Sequence, residues 1–181
     1  MEKTAVKILI TGDVGAGKTE FIRTVSEVDI VSTDRRTSDH VRELKDETTV
    51  AMDFGRLTID EGLVLHLFGT PGQIRFDFMW EILSMRMLGY IILFDSSRPE
   101  TCWNTRRIID FFEALDNVPY VVVANKQDIA GALDPEQVAY ILALDEADGV
   151  PVLPCSATQR NDVKNVLLQL FDRIVGGRER G

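Results

Sequence analysis

Eight consecutive residues, Gly12, Asp13, Val14, Gly15, Ala16, Gly17, Lys18 and Thr19, have the spacing G-x-x-x-x-G-K-T. That spacing suits one chemistry, the holding of nucleotide phosphates. Glycines let the backbone curl around an oxyanion so that successive N–H groups converge on it at the start of a helix. Lys18 would then reach the β- and γ-phosphates, and the Thr19 hydroxyl would sit on a magnesium ion bridging them. The run follows the apolar residues 5–11 and precedes a helical pattern, the strand–loop–helix setting the motif demands. The competing reading is a glycine-rich turn that binds nothing.

A second constellation lies far down the chain. Asn125, Lys126, Gln127 and Asp128 form an N-K-x-D tetrad directly after an apolar run. In parallel α/β sheets ligands bind at the carboxyl ends of the strands, so residues in this position face a ligand. A carboxylate there accepts from both the ring N–H and the exocyclic amine of guanine; adenine lacks the first donor and would leave the acid unpaired. Asp128 is therefore the expected guanine reader. Lys126 would pack its stem along the base or loop, and Asn125 would tie this loop to the phosphate loop. After the next strand Ser156, Ala157 and Thr158 fall where a backbone N–H, that of Ala157, would meet the guanine carbonyl.

The elements that must position these residues alternate. Residues 5–11 read as a strand buried on both faces, and 17–26 as a helix with Phe21, Ile22 and Val25 inward. The polar segment 27–47 keeps no period and reads as a long functional loop. Residues 49–59 and 63–68, joined by Asp60, Glu61 and Gly62, read as an antiparallel hairpin. A helix is expected over 74–88, then strands at 90–94, 118–124 and 150–154 and helices at 99–115, 135–144 and 161–175. This predicts an α/β fold with a six-stranded, mostly parallel sheet, one antiparallel strand, and helices on both faces.

The chain has 181 residues, 45% of them hydrophobic, enough for one domain with a sizeable core. Its formal net charge of −9 tells against a sequence-independent grip on nucleic acid, which needs clustered cations. Cys102 and Cys155 suggest neither a disulfide framework nor a zinc site, which fits a reducing cytoplasm. No stretch approaches the roughly 18 apolar residues of a spanning helix, and neither a signal peptide nor a lipid anchor is encoded.

From the phosphate loop through Thr158 to the last helix, the chain resembles the Ras-like small GTPases. Within them it is most similar to the prokaryotic MglA-like group, including conservon-type GTPases and the Rup proteins. The run T-V-A-M-D-F-G-R at 49–56, the run T-P-G-Q at 70–73 and the compact size without a lipidated tail carry the finer placement. The resemblance implies a single three-layer P-loop NTPase G domain over 1–181. It also implies GTP or GDP with magnesium as ligands, a cytoplasmic chain that is a monomer when alone, and a roadblock-domain protein as regulator or GTPase-activating partner. Thr49 matches the switch I threonine on magnesium, with the adjacent Thr48 as alternative. Gly72 matches the switch II glycine that senses the γ-phosphate, and Gln73 the glutamine that orients the attacking water.

Two departures stand out. Ras-like switch II regions carry an acidic residue where this chain has Gly69; Asp53 on the neighbouring strand is the candidate substitute on the metal, against the alternative of a cross-strand or solvent-facing acid. MglA-type proteins place an arginine just before the switch I threonine, where this chain has Thr48, which predicts slow intrinsic hydrolysis. Arg35, Arg36, Arg42 and Arg75 are candidates for that charge or are merely solvated. Phe76, Phe78 and Trp80 read either as core or as a partner face, whereas Ile82, Leu83, Met85 and Met87 read as core. The leading function is a GTP-hydrolysing switch. A nucleotide-gated scaffold that hardly hydrolyses and a P-loop kinase are the alternatives, the kinase leaving the tetrad without a task.

Overall fold

A computed structural model describes residues 4–32, 52–72, 77–115, 118–144 and 149–178. Along the chain run β1 (Thr4–Gly12), α1 (Lys18–Val25), β2 (Val31–Ser32), β3 (Asp53–Thr58), β4 (Leu63–Gly69), α2 (Phe78–Ser84) and β5 (Gly89–Asp95). A short 3-10 turn, Pro99–Thr101, leads into α3 (Cys102–Leu115), followed by β6 (Tyr120–Asn125), α4 (Pro135–Ile141), β7 (Val152–Pro154) and α5 (Arg160–Arg178). The strands form one sheet in the order β2-β3-β4-β1-β5-β6-β7. β3 is antiparallel to both its neighbours, and every other described pairing is parallel. The six expected strands, with one antiparallel among them, are all present. β2, two residues long, adds an edge strand inside the segment read as a loop, because two residues carry no readable period.

Side-chain alternation sends each strand's apolar residues to two helical layers. Ile8, Ile10, Ile91, Leu93, Val121 and Val123 pack with Phe21, Ile22 and Val25 of α1 and Val163, Val166 and Leu170 of α5. Leu9, Tyr90, Ile92, Phe94 and Val122 pack on the other face with residues of α2, α3 and α4. Both faces of the central strands are buried, which is why they read as continuous apolar runs.

Parallel pairing brings the ends of β1, β4, β5 and β6 to one sheet edge, with Asp95 opposite Asn125 and Ile10 opposite Gly69. Because β3 runs the other way, its first residue, Asp53, lies at this same edge opposite Gly69.

The region expected as one helix over 74–88 contains a shorter one. Trp80 (1% exposed), Leu83 and Met87 turn inward at a 3,4 spacing, whereas Ile82 (56% exposed) and Met85 (62%) face solvent beside Phe78. The core assignment of Ile82 and Met85 is therefore corrected: a seven-residue helix on a sheet buries one stripe, however apolar its other face. Trp80 in turn is not a partner-face residue. Its ring meets Phe111 and Phe112, and its Nε1–H donates to the Pro71 carbonyl at 3.2 Å. Phe76 lies outside the described residues.

Trp80→Ala is accordingly expected to lower the unfolding free energy by about 3–5 kcal/mol. Ile82→Ala should change it by no more than about 0.5 kcal/mol. Urea denaturation followed by circular dichroism measures both.

Candidate nucleotide site

The phosphate loop joins β1 to α1. Gly17, at the N-cap of α1, has φ 101° and supplies no side-chain cap, so the first N–H groups of the helix stay available to an anion. Lys18 Nζ donates to the carbonyls of Gly12 (2.8 Å) and Asp13 (2.7 Å). An ammonium has three donors, so this holds the side chain along the loop and leaves a third hydrogen for a phosphate. Burial pulls the Lys18 ammonium down to about 8, with the carboxylates of Asp13 and Asp53 acting against that shift. Its folded value lies below the ordinary 10.5. Charged Lys18 therefore weighs against the ligand-free fold up to about pH 8, and the penalty fades as pH rises towards 10.5.

Asp13 caps the loop from within: its Oδ1 accepts from the Val14 N–H at 2.8 Å and its Oδ2 from Asn104 Nδ2 at 3.2 Å. The segment after β4 lies across the loop. The Thr70 N–H donates to the Ile10 carbonyl at 2.9 Å, and its hydroxyl meets that of Thr11. At Gly72 an added Cβ would stand 2.8 Å from Lys18 Nζ and 2.7 Å from the Val14 nitrogen, so any side chain there would collide with the loop.

Asp53 points into this edge. Its Oδ2 accepts a short hydrogen bond from the Thr19 hydroxyl. An added Cβ on Gly69 would lie 3.1 Å from Asp53 Cβ and 3.1 Å from Ile22 Cδ1. The cross-strand acid and the missing side chain thus occupy one volume. Two hard oxygen donors in contact suit magnesium, which keeps several waters and draws other ligands from phosphates. No cluster of three His, Cys, Asp or Glu suited to a metal cage occurs among the described residues.

The base side is joined to the phosphate side by Asn125, a buried residue. Its Nδ2 donates to the Ala16 carbonyl at 2.8 Å, and its Oδ1 accepts from the Ala157 N–H at 2.9 Å. A Cβ on Gly17 would stand 2.4 Å from Asn125 Nδ2, so only glycine permits this approach. The Ala157 N–H, expected on the guanine carbonyl, is thus engaged by Asn125 and would have to be shared with a base. Ser156 is buried, its N–H donating to Asp162 Oδ2 at 2.9 Å, and Thr158 is exposed. Asp128 is exposed at the end of the tetrad.

Lys126 adopts a left-handed backbone, φ 66°, and its Nζ pairs with Asp95 Oδ2 at 2.5 Å. Burial works to raise the Asp95 pKa. The hydrogen bonds from Lys126 and Ser97, with the Lys126 charge, outweigh burial and hold the carboxyl below its ordinary value. Asp95 was not among the candidates, yet it follows β5 as Asn125 follows β6, and that placement is the signal that points to it. Gln73, Thr49, Thr48, Arg35, Arg36, Arg42 and Arg75 lie outside the described residues.

The family described as conserved hypothetical ATP binding protein matches residues 28–177, which include the tetrad and begin after the phosphate loop. The chain belongs to that family. An uncharacterized protein of Methanocaldococcus jannaschii is 33% identical over 139 residues, 76% of this chain and 80% of the relative. ADP-ribosylation factor-like protein 3 of Saccharomyces cerevisiae is 26% identical over 185 aligned positions, covering 96% of this chain and 87% of its own. Ras-related protein Rab-27B of Rattus norvegicus is 27% identical over 193, covering 97% and 82%. Both of these alignments take in the phosphate loop. Among the described residues no helix is long and apolar enough to cross a membrane.

Beneath the base side, burial pushes the Cys155 thiol up to about 12, with Asp162 and Asp128 adding to the shift. Alkylation requires the thiolate. At pH 8 Cys155 is therefore expected to react with iodoacetamide about a thousandfold more slowly in the folded chain than with an ordinary thiol pKa, and at the normal rate in urea. Peptide mass spectrometry reads both rates.

Proposed function

We propose that the chain is a small GTPase switch that binds GTP and GDP with magnesium and hydrolyses GTP slowly until a partner completes the site. The observation that carries this reading is the Asn125 bridge, which ties the tetrad to the 12–19 loop and to the turn after β7. The names of the Rab and ADP-ribosylation factor relatives support it. The family's description speaks of ATP. Asp128 favours guanine, because adenine has no ring N–H to offer it.

In this reading Asp128 accepts from the ring N–H and exocyclic amine, and the Lys126 stem flanks the base. Ser156, Ala157 and Thr158 form the opposite wall. Lys18 keeps its two carbonyl contacts and turns its third hydrogen to the β- and γ-phosphates, while the N–H groups of Gly15, Ala16 and Gly17 cradle the diphosphate. Gln73 orients the attacking water and the Gly72 N–H senses the γ-phosphate. Magnesium, when bound with the nucleotide, would supply neutralisation of the polyphosphate charge. Thr19 and Asp53 would hold it, with Thr49 as the switch I ligand. The placement of Asp53 against Thr19, in the space left by Gly69, supports its role as the substitute carboxylate. The MglA-like placement, the cytoplasmic location, the monomeric state and the roadblock-type partner belong to the same proposal.

A nucleotide-gated scaffold with negligible hydrolysis is the second reading, favoured by Thr48 standing where an arginine is expected. Single-turnover phosphate release from GTP, with and without a roadblock protein, separates the two. Release above the no-protein control in either condition supports the hydrolase; none in both leaves the scaffold. Asp128→Asn is expected to weaken GDP binding at least a hundredfold or so. Unchanged affinity would remove Asp128 from the base site. Asp53→Ala should raise the magnesium concentration for half-maximal nucleotide retention roughly tenfold. An unchanged requirement would return Asp53 to a purely structural role.

A further inference from the structure

The turn after β5 is built to present one side chain to the phosphate loop. Asp95 Oδ1 accepts from the Ser97 N–H (3.1 Å) and hydroxyl (2.6 Å), and the Arg98 N–H donates to the Asp95 carbonyl at 3.0 Å. The Arg98 carbonyl in turn accepts from the Thr101 N–H (3.0 Å) and hydroxyl (2.8 Å). The backbone of Arg98 is thereby fixed on both sides, and Asn104 on the following helix anchors the same segment to Asp13 of the loop. From this mount the guanidinium reaches back: a Cβ built on Gly15 would lie 3.7 Å from Arg98 Nη1. The other edge of the guanidinium, Nε, donates to Glu100 Oε1 at 3.3 Å, a pair half exposed on both sides.

We infer that Arg98 is a further nucleotide ligand, binding from the solvent side the diphosphate oxygens common to GDP and GTP. The inference rests on reading 12–19 as a nucleotide-phosphate loop. Three observations favour it. Lys18 is the described cation within the loop, and two of its three ammonium donors are already engaged by the carbonyls of Gly12 and Asp13, so a polyphosphate gains from a second side-chain cation beside the loop. A guanidinium is a planar fork matched to phosphate oxygens and keeps its charge at any working pH. Its present partner holds it weakly, because exposed ion pairs contribute little, so Glu100 stores the guanidinium beside the loop and yields it to a stronger anion. Arg98 lies outside the switch segments, so its contact does not depend on the γ-phosphate. It therefore sets affinity for both nucleotide states and leaves their ratio alone.

The test is equilibrium titration of the full chain with fluorescent GDP and with a non-hydrolysable GTP analogue, in magnesium. Arg98→Ala should weaken both about tenfold and equally, the loss of one charge-assisted contact at a half-exposed site. Arg98→Lys should recover part of the loss, and Glu100→Gln should bind at least as tightly as the unaltered chain. Binding by Arg98→Ala within twofold of the unaltered chain overturns the inference. So does an equal loss in Glu100→Gln, which would assign the effect to the shape of the turn. Parallel titrations with ADP keep the two claims apart. A chain that prefers adenine nucleotide contradicts the guanine reading while the same variants still decide Arg98, and an unaltered chain that binds no nucleotide overturns both.

Discussion

The structure depends on one buried amide. Asn125 donates to the Ala16 carbonyl and accepts from the Ala157 N–H, so a single side chain joins the ends of β1, β6 and β7. Each of those loops alone is an irregular turn at a sheet edge. Joined, they are tied together by one side chain. The bridge is made possible by Gly17, whose missing Cβ admits the amide nitrogen and whose left-handed backbone starts α1 without a side-chain cap. Removal of the amide would strand a buried donor and acceptor, which is costlier than the loss of two ordinary hydrogen bonds.

The second constraint is charge. A chain of net charge −9 that binds a polyphosphate must place its cations against carbonyls and carboxylates that keep them ready without competing too strongly. Lys18 rests on two loop carbonyls, Lys126 on buried Asp95, and Arg98 on exposed Glu100. The strength of these attachments differs in a useful order. Lys126 is held by a buried acid that also fixes its turn, whereas Arg98 is held only by an exposed one. Asp53 answers the same constraint from the anionic side. Asp53, opposite Gly69 across the β3–β4 ladder, brings its carboxylate to the same edge because its antiparallel strand starts there.

Much of this was legible from residue types. The phosphate loop and the tetrad could be read because backbone geometry restricts them to a few residues, and the sheet because strands buried on both faces show as unbroken apolar runs. Three features were not legible, each for a definite reason. The side to which Asp53 turns stayed open between the metal edge and solvent, because the cross-strand register that places it opposite Gly69 and against Thr19 cannot be counted along the chain. The inward-facing residues of α2 and the turn after it, Trp80, Leu83 and Met87, were hidden by equally apolar outward-facing ones, Phe78, Ile82 and Met85. Arg98 belongs to no motif, and only the folded turn between Asp95 and Thr101 brings it over Gly15.

The central claim is that Asn125 holds a guanine subsite at a fixed distance from a phosphate subsite. Its most direct test is calorimetric binding of GDP and of ADP to the same purified chain in magnesium. The account predicts that GDP binds at least about a thousandfold more tightly, the discrimination available to a carboxylate that one base satisfies and the other leaves unpaired. Equal affinities, or a preference for ADP, would contradict it.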